Sequence, residues 1–118
     1  MKIICTLLAV VAVALLATAT AAPMSHPQLT GTVGAGFTIS LTQNGKAVKT
    51  LKAGAYTLVV SDKASIHNFQ LEGPGLDRAL TSVPFVGTKT VTVTLRKGTY
   101  KYYCAPHESS MHGSFRVA

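Results

Sequence analysis

The 118-residue chain carries 11 Lys and Arg against 4 Asp and Glu, a formal net charge of +7. Its length supports one compact domain and excludes a large multidomain enzyme. Eighteen apolar residues fall within the first 22 positions, so the overall 47% hydrophobic content overstates that of the remainder, whose composition is that of an ordinary soluble domain, neither membrane-embedded nor disordered.

The chain opens with Lys2, an apolar run from Leu7 to Ala17, and the small residues Thr18 to Ala22 before Pro23. Export machinery reads this layout, and Ala19-x-Ala21 is the best cleavage match. The apolar run is shorter than the ~20 residues a membrane span needs. The expectation is a signal peptide over residues 1–22, no stable membrane insertion, and one exported domain over 23–118 in a periplasmic or extracellular compartment. Cys5 would leave with the leader. Cys104 would then be alone and could not form an internal disulfide, the usual employment of cysteine in small exported domains.

Short alternating runs dominate the rest, and no stretch shows helical spacing over three turns. Phe37 to Leu41 alternates, Asn44-Gly45 follows as a hairpin turn signal, and Ala47 to Leu51 reads as the return strand. Tyr56 to Val60 and Ile66 to Glu72 are the next strands, the latter ended by Gly73-Pro74-Gly75. Leu76 to Gly87 is less regular and reads as a crossing connection. Thr88 to Leu95 puts Val91, Val93 and Leu95 on one face and threonines on the other. Thr99 to Cys104 is a strand, Ala105 to Gly113 a loop, and Ser114 to Val117 a last strand with Phe115 and Val117 inward. Seven to eight strands without room for crossover helices predict an all-β, antiparallel Greek-key sandwich.

The densest chemistry lies in Cys104-Ala105-Pro106-His107-Glu108-Ser109-Ser110-Met111. A thiolate, an imidazole and a thioether at C-x2-H-x3-M spacing are soft and borderline ligands, which favour copper over calcium, magnesium or manganese. A cysteine ending a strand and a histidine and methionine in the next loop can converge because the loop reverses over them. In Ile66 to Glu72, strand alternation places His67 on the apolar face with Phe69 and Leu71, and Asn68 on the other. A histidine there alone is more often a hydrogen-bonded core residue than a ligand; the cysteine loop reverses that weighting. His112 competes in principle with Met111, although neighbouring residues seldom both face inward.

Ser65-Ile66-His67-Asn68-Phe69 and Tyr102-Tyr103-Cys104-Ala105-Pro106-His107-x3-Met111 together resemble the small cupredoxins, type 1 copper proteins of the plastocyanin, amicyanin and azurin kind. The resemblance implies one copper per chain, cycling between Cu(I) and Cu(II), with His67, Cys104 and His107 as ligands and Met111 as a long axial thioether. It also implies that Asn68 ties the two ligand loops together. The intervals of two and three residues mix features of subfamilies, which leaves the axial ligand the least fixed of the four.

The function so implied is an exported, monomeric one-electron carrier whose partners are redox proteins. The scattered basic residues, with no interleaved aromatic patch, argue against nucleic acid and suit an acidic partner face. The alternative is copper carriage or sequestration with the same ligands. An enzyme with Cys104 as nucleophile and His107 as base lacks an oxyanion donor and any orienting carboxylate beyond Glu108, so no enzymatic activity is expected.

Overall fold

The computed structural model describes residues 12–15 and 25–118. The leader expected over residues 1–22 lies outside the described residues apart from 12–15. Alternating burial along the strands, plainest in the sequence Tyr56, Leu58, Val60, Asp62, is what splits the chain into two sheets with one shared interior. The strands are β1 (Gln28–Val33), β2 (Ile39–Gln43), β3 (Lys46–Ala47), β4 (Thr50–Leu51), β5 (Gly54–Asp62), β6 (Phe69–Gly73), β7 (Leu76–Thr81), β8 (Gly87–Leu95), β9 (Gly98–Tyr103) and β10 (His112–Val117).

One sheet has the order β3-β2-β1-β5-β8 and the other β4-β10-β9-β6-β7. The all-β sandwich expected from the sequence is what forms, with ten strands among the described residues rather than seven or eight. Two of the ten, β3 and β4, are only two residues long. The segment expected as one return strand, Ala47 to Leu51, is divided between them: β3 pairs with β2, and β4 crosses to the other sheet beside β10. Each sheet also contains one parallel pairing, β1 with β5 and β4 with β10. Parallel neighbours need a long connection, which residues 34–53 supply for β1 and β5.

The turn between β2 and β3 follows from its residues. Asn44 and Gly45 both take positive φ, 51° and 77°, the backbone of the two-residue hairpin turn that Asn-Gly favours. Leu76 to Thr81, read as connection, is strand β7, the second arm of a hairpin with β6. Strand β1 has no counterpart in the sequence reading, because its Gly31 interrupts the apolar alternation. That glycine lies against the Phe69 ring: a Cβ there would come within 2.9 Å of it.

Between the sheets, Leu58, Val60, Phe69, Leu71, Leu95 and Tyr100 are almost completely buried, each apolar side chain contributing about 1.5–3 kcal/mol relative to exposure. Tyr100 stacks on Phe115 with ring centroids 5.3 Å apart, and Phe69 stacks on Tyr102 at 5.9 Å. This packing anchors β6, β9 and β10, whose ends carry the ligand-bearing segments.

Candidate metal centre

Strand β9 ends at Tyr103, and Cys104 is the first residue beyond it. The chain then turns through the short 3-10 segment Ala105–His107, started by Pro106 within its first turn; proline's fixed φ suits a helical start, where its missing N–H costs nothing. The loop closes on its own backbone. Cys104 N–H donates to the Met111 carbonyl at 3.0 Å, His107 N–H to the Cys104 carbonyl at 3.1 Å, and Met111 N–H to the His107 carbonyl at 2.9 Å. The backbone of Cys104, His107 and Met111 is thereby held in one compact turn, with Cys104 and Met111 fully buried and His107 half-buried.

His67 comes from elsewhere. It lies just before β6, in the connection that follows β5, and is fully buried. The expected strand from Ile66 onward starts instead at Phe69, and this corrects the strict alternation drawn through His67 and Asn68. Outside a regular pleat, consecutive side chains can both turn inward, and Asn68 is also buried, at 5% exposure. It is not a solvent-facing strand amide: its Oδ1 accepts the Ala105 N–H at 2.7 Å and its Nδ2 donates to Gln70 Oε1 at 3.3 Å. The first of these bonds links the His67 segment to the cysteine loop.

Three side-chain atoms meet. His67 Nδ1 lies 3.1 Å from His107 Nδ1, Cys104 Sγ lies 3.7 Å from His67 Nδ1, and Cys104 Sγ lies 3.5 Å from His107 Nδ1. A triangle with these sides has a point about 2.0 Å from all three corners, close to the ~2.0–2.1 Å of a metal–imidazole bond and somewhat inside the ~2.3 Å of a metal–thiolate bond. With both imidazoles in the tautomer that leaves Nδ1 unprotonated and the thiol ionised, all three atoms turn lone pairs to one point, where a cation would satisfy them together. The donor set of two imidazoles and a thiol, with no carboxylate, belongs to copper or zinc chemistry and not to that of the hard cations. It is the only such group of His, Cys, Asp and Glu among the described residues.

The fourth expected residue, Met111, is buried beside Cys104. His112 is exposed, and its Nδ1 is 2.8 Å from the Glu108 carbonyl, engaged on the loop's outer side. Phe37 was not singled out from the sequence as a site residue. It stands outside β2, 58% exposed, with its ring edge-on to both His67 and His107 at centroid distances of 5.3 and 4.9 Å. The alternation from Phe37 to Leu41 reads as one strand, but β2 begins only at Ile39; the signal is Gly36 immediately before Phe37, in a bend of the chain. Exposed Ile66 precedes His67 and exposed Ala105 and Pro106 precede His107 in the chain, and the Phe37 ring is the apolar group set against the half-buried His107. On the adjoining surface Lys101 pairs with Glu108.

The fold resembles that of rusticyanin. A structure described as the copper protein rusticyanin superposes with a TM-score of 0.56 at 18% identity, covering 77% of this chain and 76% of that one, and reduced rusticyanin gives 0.56 at 20% identity over 77% and 78%. No curated protein matches the chain. The sequence profile of copper-binding proteins of the plastocyanin/azurin family matches residues 37–118, the stretch that holds Phe37, both histidines and the cysteine loop. The chain belongs to that family and is a type 1, or blue, copper protein with one copper per chain.

Proposed function

We propose that this protein is an exported carrier of single electrons, with Met111 as the axial ligand of its copper. Copper supplies a one-electron couple between Cu(I) and Cu(II). The observation that carries the reading is the unequal burial of the three converging ligands: His67 and Cys104 are closed off, and His107 alone reaches the surface. An electron therefore has one short route out, through the His107 ring, and the exposed Phe37 ring beside it lets a partner approach over an apolar group.

The chain's own residues limit rearrangement during transfer. Four backbone hydrogen bonds brace the Cys104–Met111 loop, and Asn68 ties it to the His67 segment, so the donor atoms hold nearly one geometry whichever oxidation state they surround. Met111, buried and hydrogen-bonded through its backbone to Cys104 and His107, offers a thioether where His112 faces outward. The partner is a second redox protein met briefly, and the excess of Lys and Arg suits an acidic docking face.

The test is Cu(II) addition to purified protein, followed by visible and electron-paramagnetic spectroscopy and repeated voltammetric cycles. An intense thiolate-to-copper absorption and reversible cycling without metal loss are expected. Net transfer of the ion to an apo-acceptor instead would support copper carriage, and a colourless protein would end the carrier reading.

A further inference from the structure

Two buried polar atoms have no hydrogen-bond partner among the described residues: Asp62 Oδ2 and His67 Nε2. Both side chains are almost wholly buried, at 1% and 0% exposure. They are of complementary kind. With Nδ1 turned to the metal, a neutral imidazole carries its proton on Nε2, a donor without an acceptor. Asp62 has one oxygen in a long contact, 3.4 Å from the Ala64 N–H, and the other in none. A buried donor or acceptor left without a partner forfeits the hydrogen bonds it makes to water in the unfolded chain, so each atom alone is destabilising.

The two belong to one corner of the sandwich. Asp62 is the last residue of β5 and continues the inward face of Tyr56, Leu58 and Val60. It stands level with Val33 of β1, and the next residue, Lys63, donates its N–H to the Val33 carbonyl at 2.9 Å. Beside Val33, Gly34 touches both sides: a Cβ on it would lie 3.0 Å from His67 Cδ2, the ring carbon bonded to Nε2, and 3.7 Å from the Ala64 nitrogen that donates to Asp62. The Nε2 edge of His67 is thus turned toward the corner that Asp62 closes.

We propose that Asp62 is the outer partner of His67, its Oδ2 accepting the Nε2 proton through a buried water. Such a water needs two or more polar partners, and these two atoms supply them. The carboxylate then fixes the ring's tautomer and rotation and makes Nδ1 a better donor to the ion, the service that partners of metal-bound histidine perform. Asp62 is a positioning residue; it does not touch the metal. The inference rests on His67 as a ligand, which the wild-type copper spectrum tests separately.

The experiment compares wild type, Asp62→Asn and Asp62→Ala as copper proteins. In the Cu(I) form, the His67 Nε2 proton of wild type should be visible by nitrogen-edited NMR and protected from solvent exchange. Asp62→Ala should expose it and weaken Cu(II) binding by about 10–100-fold. Asp62→Asn keeps an acceptor but loses the charge, so the proton should stay protected while the reduction potential rises. A folded Asp62→Ala with Cu(II) affinity within twofold of wild type and an unchanged His67 proton would overturn the proposal. Should Asp62→Ala fail to fold, wild type and Asp62→Asn decide: a His67 proton that exchanges as fast as that of exposed His112 in wild type, or a reduction potential unchanged in Asp62→Asn, overturns it, and a protected proton in both with a raised potential in Asp62→Asn sustains it.

Discussion

The loop from Cys104 to Met111 and the segment from Asp62 to Asn68 bring their ligands to the same point under different constraints. The loop makes four backbone hydrogen bonds within itself, at 2.9–3.1 Å, so its shape is written locally. The other segment has only two internal contacts, His67 N–H to the Ala64 carbonyl and Ala64 N–H to Asp62 Oδ1, both 3.4 Å and longer than the ~2.9–3.0 Å of a good bond. Its firm ties are external, to the Val33 carbonyl at 2.9 Å and to the Ala105 N–H at 2.7 Å. One half of the centre is therefore set by nearby sequence and the other by the assembled sandwich. Changes on the loop side should damage chemistry with little loss of stability, and changes around His67 should damage both.

The largest effect is expected at the loop. Cys104→Ser, almost the same shape in a fully buried site, should abolish the thiolate-to-copper absorption while thermal unfolding of the metal-free protein shifts by only a few degrees. A large fall in melting temperature without metal would show that the cysteine is as much packing as ligand. On the other side, Gly34→Ala should cost stability first. Gly34 holds φ at +77° and has His67 Cδ2 3.0 Å from where a Cβ would sit. Left-handed backbone at a non-glycine residue costs about 1–3 kcal/mol, and each kcal/mol lowers the melting temperature of a domain this size by about 4–8 °C. Because the added methyl group pushes on the ligand ring, the visible spectrum should shift as well.

Asn68→Ala tests the link between the halves. Removing the bond to the Ala105 N–H should cost about 0.5–1.5 kcal/mol, read as a lower denaturation midpoint, together with faster copper loss to a chelator. An unchanged copper off-rate would mean that the two halves are held together by packing alone. Met111→Leu is smaller still in stability, below about 1.5 kcal/mol for a volume-conserving core exchange. It should retain copper and change the reduction potential, and an unchanged potential would remove Met111 from the axial position.

The same contrast explains what the sequence made legible. The C-x2-H-x3-M spacing exposed the loop because its ligands are close along the chain and its geometry is local. Strands β8, β9 and β10 were legible for a similar reason, their alternation being clean over Thr88 to Leu95 and again before and after the loop. His67 was recognisable as a ligand only beside the cysteine loop, and its surroundings were misread, since a strand pattern was extended through residues that turn out of the pleat. Phe37 reads as the start of a strand although it stands outside β2 with its ring against both histidines, and β1 passes unnoticed because Gly31 makes room for Phe69, a residue 38 positions later. In each miss the deciding contact lies far away in sequence, where local periodicity carries no information.

The weakest effect expected sharpens the comparison from the strand that feeds the loop. Tyr103 precedes Cys104 and points to the outer face, where its hydroxyl donates to Glu72 Oε2 at 3.2 Å. Partial burial first, then the hydrogen bond to Glu72 and the carboxylates of Glu72, Asp77 and Glu108, push its phenol above the usual tyrosine value. The folded protein thus holds this proton more tightly than the unfolded chain, whose tyrosines titrate near pH ~10. The resulting stability is fully present below that pH and is lost as pH rises through the higher folded value. Wild-type melting temperature should therefore fall more steeply between about pH 9 and pH 11, the range around the ordinary tyrosine value, than that of Tyr103→Phe. The thiolate absorption should scarcely change over the same range, since the loop is braced by its own backbone; a spectrum that follows the tyrosine would show that the loop takes its shape from the outer sheet face after all.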